Sequence, residues 1–125
     1  MKNINKVMLA GNIVRDAEVV QVGSYSVVKF TVATTRKWTD SNKNKKEETE
    51  FHNVERWNSE GIAKFLLKGV PVFVEGRIKS EKFEKRDGTK GSSFKIMADD
   101  VSILRFKDEG EKREVEQTFG EEAPF

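Results

Sequence analysis

Aromatic and cationic residues recur at strand spacing in two stretches of this chain. In "FHNVERW" (51–57), extended backbone puts Phe51, Asn53, Glu55 and Trp57 on one face and His52, Val54 and Arg56 on the other. In "VPVFVEGRIKSEKF" (70–83), the even positions Val72, Val74, Gly76 and Ile78 read as a buried face. The odd positions Phe73, Glu75, Arg77, Lys79, Glu81 and Phe83 read as a solvated one. Flat rings standing among cations in water suit single-stranded nucleic acid. Unpaired bases offer π-faces, and phosphates need Lys or Arg. Each stacked base contributes ~1–3 kcal/mol without regard to base identity, and the charge contribution fades as salt rises. Trp38 lies beside Arg36 and Lys37, at the foot of a segment carrying Lys43, Lys45 and Lys46. Its parity matches Val28 and Phe30, so alternation alone assigns it to the core; a twist or bulge at the strand end reverses that assignment.

Other chemistries fit less well. Asp16 with Glu18 and Asp99 with Asp100 are candidate acids. Side chains at 99 and 100 point to opposite faces of a regular strand, and no Ser-His pair or phosphate-binding Gly loop accompanies them. Turn capping or a solvated bulge accounts for these carboxylates. His52 is the only histidine and has no evident second ligand, so no metal site is expected. The chain has no cysteine, which excludes disulfides, thiolate metal centres and Cys nucleophiles. The expectation is a protein that is not an enzyme and uses no cofactor.

Net charge is +2, but its distribution is uneven. Residues 1–106 hold 20 Lys/Arg against 14 Asp/Glu; residues 107–125 hold 3 against 7. A basic body with an acidic tail implies a polyanionic partner for the body and a separate task for the tail. The N-terminal "MKNINKVMLAGNIV" lacks the apolar run of a signal peptide, and no later stretch reaches membrane-spanning length. A cytoplasmic location is expected.

The elements that must carry these side chains read as strands. "KVMLAGNIV" (6–14) is apolar and interrupted by Gly11, the mark of a strand that bends. "AEVVQVG" (17–23) and "SVVKFTVATTR" (26–36) are rich in β-branched residues around a "GS" turn, with Val28, Phe30 and Val32 on one face. Residues 37–48 read as a long polar loop and 49–57 as a strand. "NSEGIAKFLLKG" (58–69) reads as a short helix with a Ser cap and a Gly stop. Residues 70–85 form a long strand, "RDGTKG" (86–91) a hairpin turn, and 92–106 a strand bent near Asp99–Asp100. A short chain of this kind must manage its sheet edges, and closing a barrel does so. A five-stranded Greek-key OB-fold barrel, all-β with one short helix between its third and fourth strands, fits best. An open α+β sheet is the competitor.

The segments "NKVMLAGNI", "VKFTVATTRKW", "TEFHNVERWN", "FLLKGVPVFVEGRIKSEKF" and the terminal "PF" resemble the bacterial single-stranded DNA-binding protein family, in register over about residues 3–106. The resemblance implies the barrel above, usually assembled as a homotetramer. It implies base stacking at Trp38, Phe51, Trp57 and Phe83, and phosphate contacts at Lys6, Lys68 and Lys82. To these, charge and parity add Arg36, Lys43, Arg56, Arg77 and Lys79. At 51 and 83 the best-known members more often carry Trp, and at 57 Phe. The family's His at position 52 lies at a subunit interface.

The division expected is an OB-fold domain over 1–106, a short charged linker over 107–119 and a docking tip over 120–125, the last two forming a disordered acidic tail. The resemblance makes the tip a peptide recognised by replication, repair and recombination proteins. Phe125 can fill an apolar pocket, its carboxylate with Glu121 and Glu122 can meet surrounding cations, and Pro124 limits the entropy lost on docking. The expected function is therefore sequence-independent binding and protection of single-stranded DNA near the nucleoid, with recruitment of partners. The alternative keeps the fold and changes the role, to an RNA-binding or primosome-type accessory protein.

Overall fold

The computed structural model describes residues 1–107. The β-branched segments form β1 (Val7–Ile13), β2 (Glu18–Val22), β3 (Tyr25–Thr39), β4 (Lys45–Trp57), β5 (Pro71–Glu84) and β6 (Lys90–Ile103). One 3-10 helix, Glu60–Phe65, lies between β4 and β5 among the described residues. The linker beyond Lys107 and the tip, with Glu121, Glu122, Pro124 and Phe125, lie outside those residues.

The strand order is β1-β5-β6-β4-β3-β2, and β1 also pairs with β3. That second pairing closes five strands into the OB-fold barrel and leaves β2 as an added strand on the outer part of β3. Closure happens at the end of β1. Val7–Asn12 pair with β5, while Asn12 and Ile13 reach Ala33 and Val32 of β3. Gly11 makes the crossing possible, because a Cβ there would come 2.3 Å from the Ala33 carbonyl oxygen. β4 runs parallel to β6 over Val54↔Ile96 and Glu55↔Met97; the remaining pairings are antiparallel.

Alternation fills the interior. Val28, Phe30 and Val32 of β3, Val54 of β4, Val72 and Val74 of β5, and Ile96 and Ala98 of β6 pack with Ile13, Leu66 and Val70. Removing such side chains from water is the main favourable contribution to folding. The bend expected near Asp99–Asp100 is a β-bulge. Glu75 pairs with Asp100 and Gly76 with Ala98, so Asp99 is the extra residue.

Three expectations are corrected. Residues 37–48 are not a long loop, since β3 and β4 stay paired from Val27↔Trp57 out to Thr39↔Lys45. Only Asp40–Asn44 turn, and Asp40 Oδ1 organises them by accepting the N–H groups of Asn42 (2.9 Å) and Asn44 (2.8 Å). The helix is a single short 3-10 segment, and Ser59 makes no capping bond at its start. Gly61 lowers helix propensity there, and the backbone that follows is claimed by β1: Gly69 donates to Ile13 O (2.7 Å) and Ile13 to Val70 O (3.0 Å). Ile78 is 48% exposed although its parity is that of Val72 and Val74. Beyond Gly76, β5 and β6 leave the barrel as a projecting hairpin, so the same parity no longer faces a core.

Candidate nucleic-acid interface

The β3–β4 register fixes which aromatics face outward. Val54 is buried opposite Phe30, so its neighbours on β4 point away from the core. Phe51 is 64% exposed opposite Ala33, and Trp57 is 38% exposed opposite Val27. Tyr25 sits beside Trp57 in an edge-to-face pair at 6.2 Å. Phe83 has the outward parity of β5, is 47% exposed, and lies over Gly91 across the hairpin.

Trp38 is on the other face. The β3–β4 pairing runs through Trp38↔Lys46 without a slip, so it keeps the parity of Phe30. It nevertheless escapes the core, because by residue 38 the hairpin has run past the barrel; the side chain is half-buried and outside the core cluster. The Arg36 guanidinium stands 4.6 Å from its ring centroid, a cation–π contact made by two residues on one strand face. Phe51 and Trp57 are thus brought together on β4, Phe83 stands on the neighbouring hairpin, and Trp38 occupies the reverse side of the β3–β4 arm.

The cations divide by what already holds them. Lys43 is exposed at the β3–β4 turn with φ of 65°. Lys79 and Lys82 are exposed on β5 and make no ion pair among the described residues. Lys6 meets Glu75 at 3.1 Å and Arg77 meets Asp99 at 3.2 Å, both at exposed sites where a pair is worth little and a phosphate can compete. Lys68 is exposed just before β5, at the opposite end of that strand from Phe83; its N–H donates to Asp16 Oδ1 at 2.8 Å. Arg56 is committed inward. Its Nε donates to Ser59 Oγ at 3.1 Å, and Nη1 donates to the carbonyls of Ala98 (3.1 Å) and Asp99. It ties β4 to the β6 bulge rather than offering a free charge.

Lys95 is the best-held cation. Its side chain is 14% exposed and bonded to Glu55 (3.1 Å, itself 12% exposed) and Glu81 (2.6 Å). The bond to Glu81 is the main influence raising the ammonium pKa, and the bond from Lys95 is the main influence lowering that of Glu81. This trio pins β6 to β4 and β5 beneath the aromatic surface.

Other candidates find structural uses. Asp16 holds the Lys68 N–H and Asp99 holds Arg77. His52 Nε2 shares a 2.9 Å hydrogen bond with Thr34 Oγ1. Among the described residues no group of three or more His, Asp or Glu is placed to hold a metal, and no helix is long and apolar enough to cross a membrane. Tyr25 and Phe94 are exposed aromatics that the sequence reading did not single out. Parity extended back from Lys29 and Thr31 was enough to find Tyr25; Phe94 shares the parity of buried Ile96 and gave no such signal.

Comparison with known proteins agrees with this geometry. The profile of the Single-strand binding protein family matches residues 4–104. The chain is similar to the single-stranded DNA-binding protein of Neisseria meningitidis, 36% identical over 110 residues, covering 86% of this chain and 63% of that protein. It is also similar to single-stranded DNA-binding protein 1 of Chlorobaculum tepidum, 34% identical over 113 residues, covering 87% and 70%. This chain thus spans a little under two thirds of the Neisseria protein's length. Among solved structures, a Plasmodium falciparum SSB in complex with ssDNA superposes with a TM-score of 0.76 at 25% identity, covering 84% of this chain and 98% of that one. A deletion mutant of the single-stranded DNA binding protein from Thermus aquaticus shares the fold, with a TM-score of 0.71 at 24% identity over 82% and 51%.

Proposed function

This chain belongs to the Single-strand binding protein family, and on that premise we propose that it binds single-stranded DNA without regard to sequence. Phe51, Trp57, Phe83 and Trp38 stack on bases, while Arg36, Lys43, Lys79 and Lys82 neutralise phosphates, joined by Lys6, Lys68 and Arg77. The observation that carries this reading is the outward placement of Phe51, 64% exposed, and Trp57, 38% exposed, on a strand whose alternate residue, Val54, is buried. A strand that keeps large aromatics in water while burying a valine has a use for the rings outside the core.

Two further parts of the proposal concern assembly and recruitment. β1 pairs with β5 along its length but meets β3 only at its end, at Asn12 and Ile13 with Gly11 packed against Ala33, which leaves the edge of Val7–Ala10 open, with Met8 61% exposed. An open apolar edge favours pairing with a second copy, and assembly as a homotetramer with His52 near a subunit boundary follows the family pattern. The tip at Glu121, Glu122, Pro124 and Phe125 serves as a docking peptide for replication, repair and recombination proteins, and the DNA-binding role sets the protein at the nucleoid. Competition decides the ligand. Poly(dT) is expected to displace a labelled oligo(dT) at far lower concentration than poly(U) or duplex DNA. Equal or better displacement by poly(U) would move the assignment to RNA.

A further inference from the structure

β4 and β6 touch at only two residue pairs, Val54↔Ile96 and Glu55↔Met97. Their other edges are fully occupied, β4 by β3 and β6 by β5. Upstream of those two pairs the strands therefore part, and a fork opens where the β3–β4 and β5–β6 hairpins leave the barrel. It is a cleft of about 390 Å³ lined chiefly by Phe51, His52, Asn53, Ile78, Phe94 and Ile96. Phe51 on one arm is 64% exposed and Phe94 on the other is 69% exposed, with Ile78 at 48% beside them. Neither phenyl ring has an aromatic partner among the described residues. Asn53 accepts a hydrogen bond from Thr31 Oγ1 at 3.1 Å, and its amide N–H groups have no protein partner among those residues.

We infer that this fork is a base-binding subsite, with Phe94 a fifth stacking residue that receives an unpaired base on the β6 side of the cleft that Phe51 borders on the β4 side. The inference rests on the single-stranded DNA reading and extends the same surface, since Phe51 belongs to both. Three observations favour a base over a peptide or a second copy. The fork is only about three residues deep along β4, too short to add a strand. Its two most exposed apolar wall residues, Phe51 and Phe94, are aromatic rings, which suit a flat π-ligand. The β5–β6 arm is basic, with seven Lys/Arg against three Asp/Glu over residues 77–95, while the β3–β4 arm is near neutral, with five against four over residues 34–50. A nucleotide seated in the fork has phosphate contacts on the β5–β6 side, and Asn53 can donate to its base edge.

Phe94→Ala in the full chain tests this, because an exposed ring can be removed without opening the core. Titration with oligo(dT) is expected to give an affinity about 5- to 100-fold weaker than the parent. The dependence on log salt should be unchanged because no charge is lost, and Phe94→Tyr should restore binding. An oligonucleotide of abasic sites should bind parent and variant alike. If Phe94→Ala binds oligo(dT) as tightly as the parent while Phe51→Ala is weakened, the subsite is refuted and the DNA reading stands. If the parent itself does not bind oligo(dT), that reading falls and the subsite with it. A second readout uses Phe94→Trp with Trp38→Phe and Trp57→Phe, leaving one indole in the fork. Its emission should be quenched by oligo(dT); unquenched emission with DNA bound overturns the inference. So does a loss of assembly mass on Phe94→Ala, which would make the fork an interface between copies.

Discussion

Gly76→Ala tests whether the bulge at the barrel's exit is an obligatory joint. A Cβ at residue 76 would lie 2.1 Å from the Met97 carbonyl oxygen and 2.9 Å from the Ala98 Cα. Both obstacles are backbone on the paired strand, so no side-chain rotation relieves them. Ordinary contact begins well beyond 3 Å, so β5 and β6 must separate by about 1 Å at this rung. Overpacking of this kind costs about 1–3 kcal/mol, and weakening one or two ladder hydrogen bonds adds about 1 kcal/mol each. A total near 3 kcal/mol is a large part of the 5–15 kcal/mol that holds a typical domain together. For a domain of this size it lowers the melting temperature by about 12–24 °C. The assay is thermal and urea unfolding followed by circular dichroism, at one fixed protein concentration so that assembly does not enter the comparison. Gly61→Ala is the control: a Cβ added there would have nothing within 4 Å, and the change is expected to be neutral or stabilising by about 0.4–1 kcal/mol. A Gly76→Ala protein within about 0.5 kcal/mol of the parent would refute the argument that this rung cannot spread.

Other substitutions separate binding from stability. Trp57→Ala should weaken oligo(dT) binding about 5- to 100-fold and cost little stability beyond the edge contact with Tyr25, as read by titration and urea unfolding together. Arg56→Ala should do the reverse. It loses the bonds to Ser59 Oγ and the Ala98 and Asp99 carbonyls, destabilising by about 2 kcal/mol, while the salt dependence of DNA binding stays that of the parent. Glu81→Gln tests the Lys95 trio through pH. The Glu81 pKa is lowered in the folded protein, so its contribution is present above the usual carboxylate range and lost as pH falls through the folded value. The Lys95 pKa is raised, so its contribution is full below the usual lysine range and lost as pH rises through the folded value. The stability difference between parent and variant should therefore be widest on the neutral plateau and close towards acid and strong alkali; a difference independent of pH would show that the pair is not what stabilises the site.

Much of the barrel was legible because alternation is a local signal. Val28, Phe30 and Val32 announce a buried face, and the Asp99–Asp100 pair in an apolar strand announces the bulge. What eluded the pattern lies where strands outrun the core. Ile78, Trp38 and Phe94 keep the parity of buried neighbours, yet they stand on hairpins that have left the barrel. Parity tells which side a residue faces, not whether anything is there. The polar run 37–48 reads as a loop for a related reason: a hairpin arm in water on both faces needs no apolar alternation, and its pairing is carried by backbone bonds. Arg56 shows the limit for charge, since its commitment to β6 carbonyls depends on residues 42 and 43 apart in sequence meeting at the bulge. Nothing in the local sequence separates it from the free cations.

The central claim is that rings outside the core and cations around them grip unpaired bases. The most direct measurement is the quenching of intrinsic Trp emission by oligo(dT), repeated across a series of salt concentrations. The account predicts saturable quenching, with log affinity falling linearly against log salt by about 0.7 per phosphate neutralised, and binding that persists, weakened, at high salt through stacking. Unchanged emission at every strand concentration, or an affinity indifferent to salt, would contradict it.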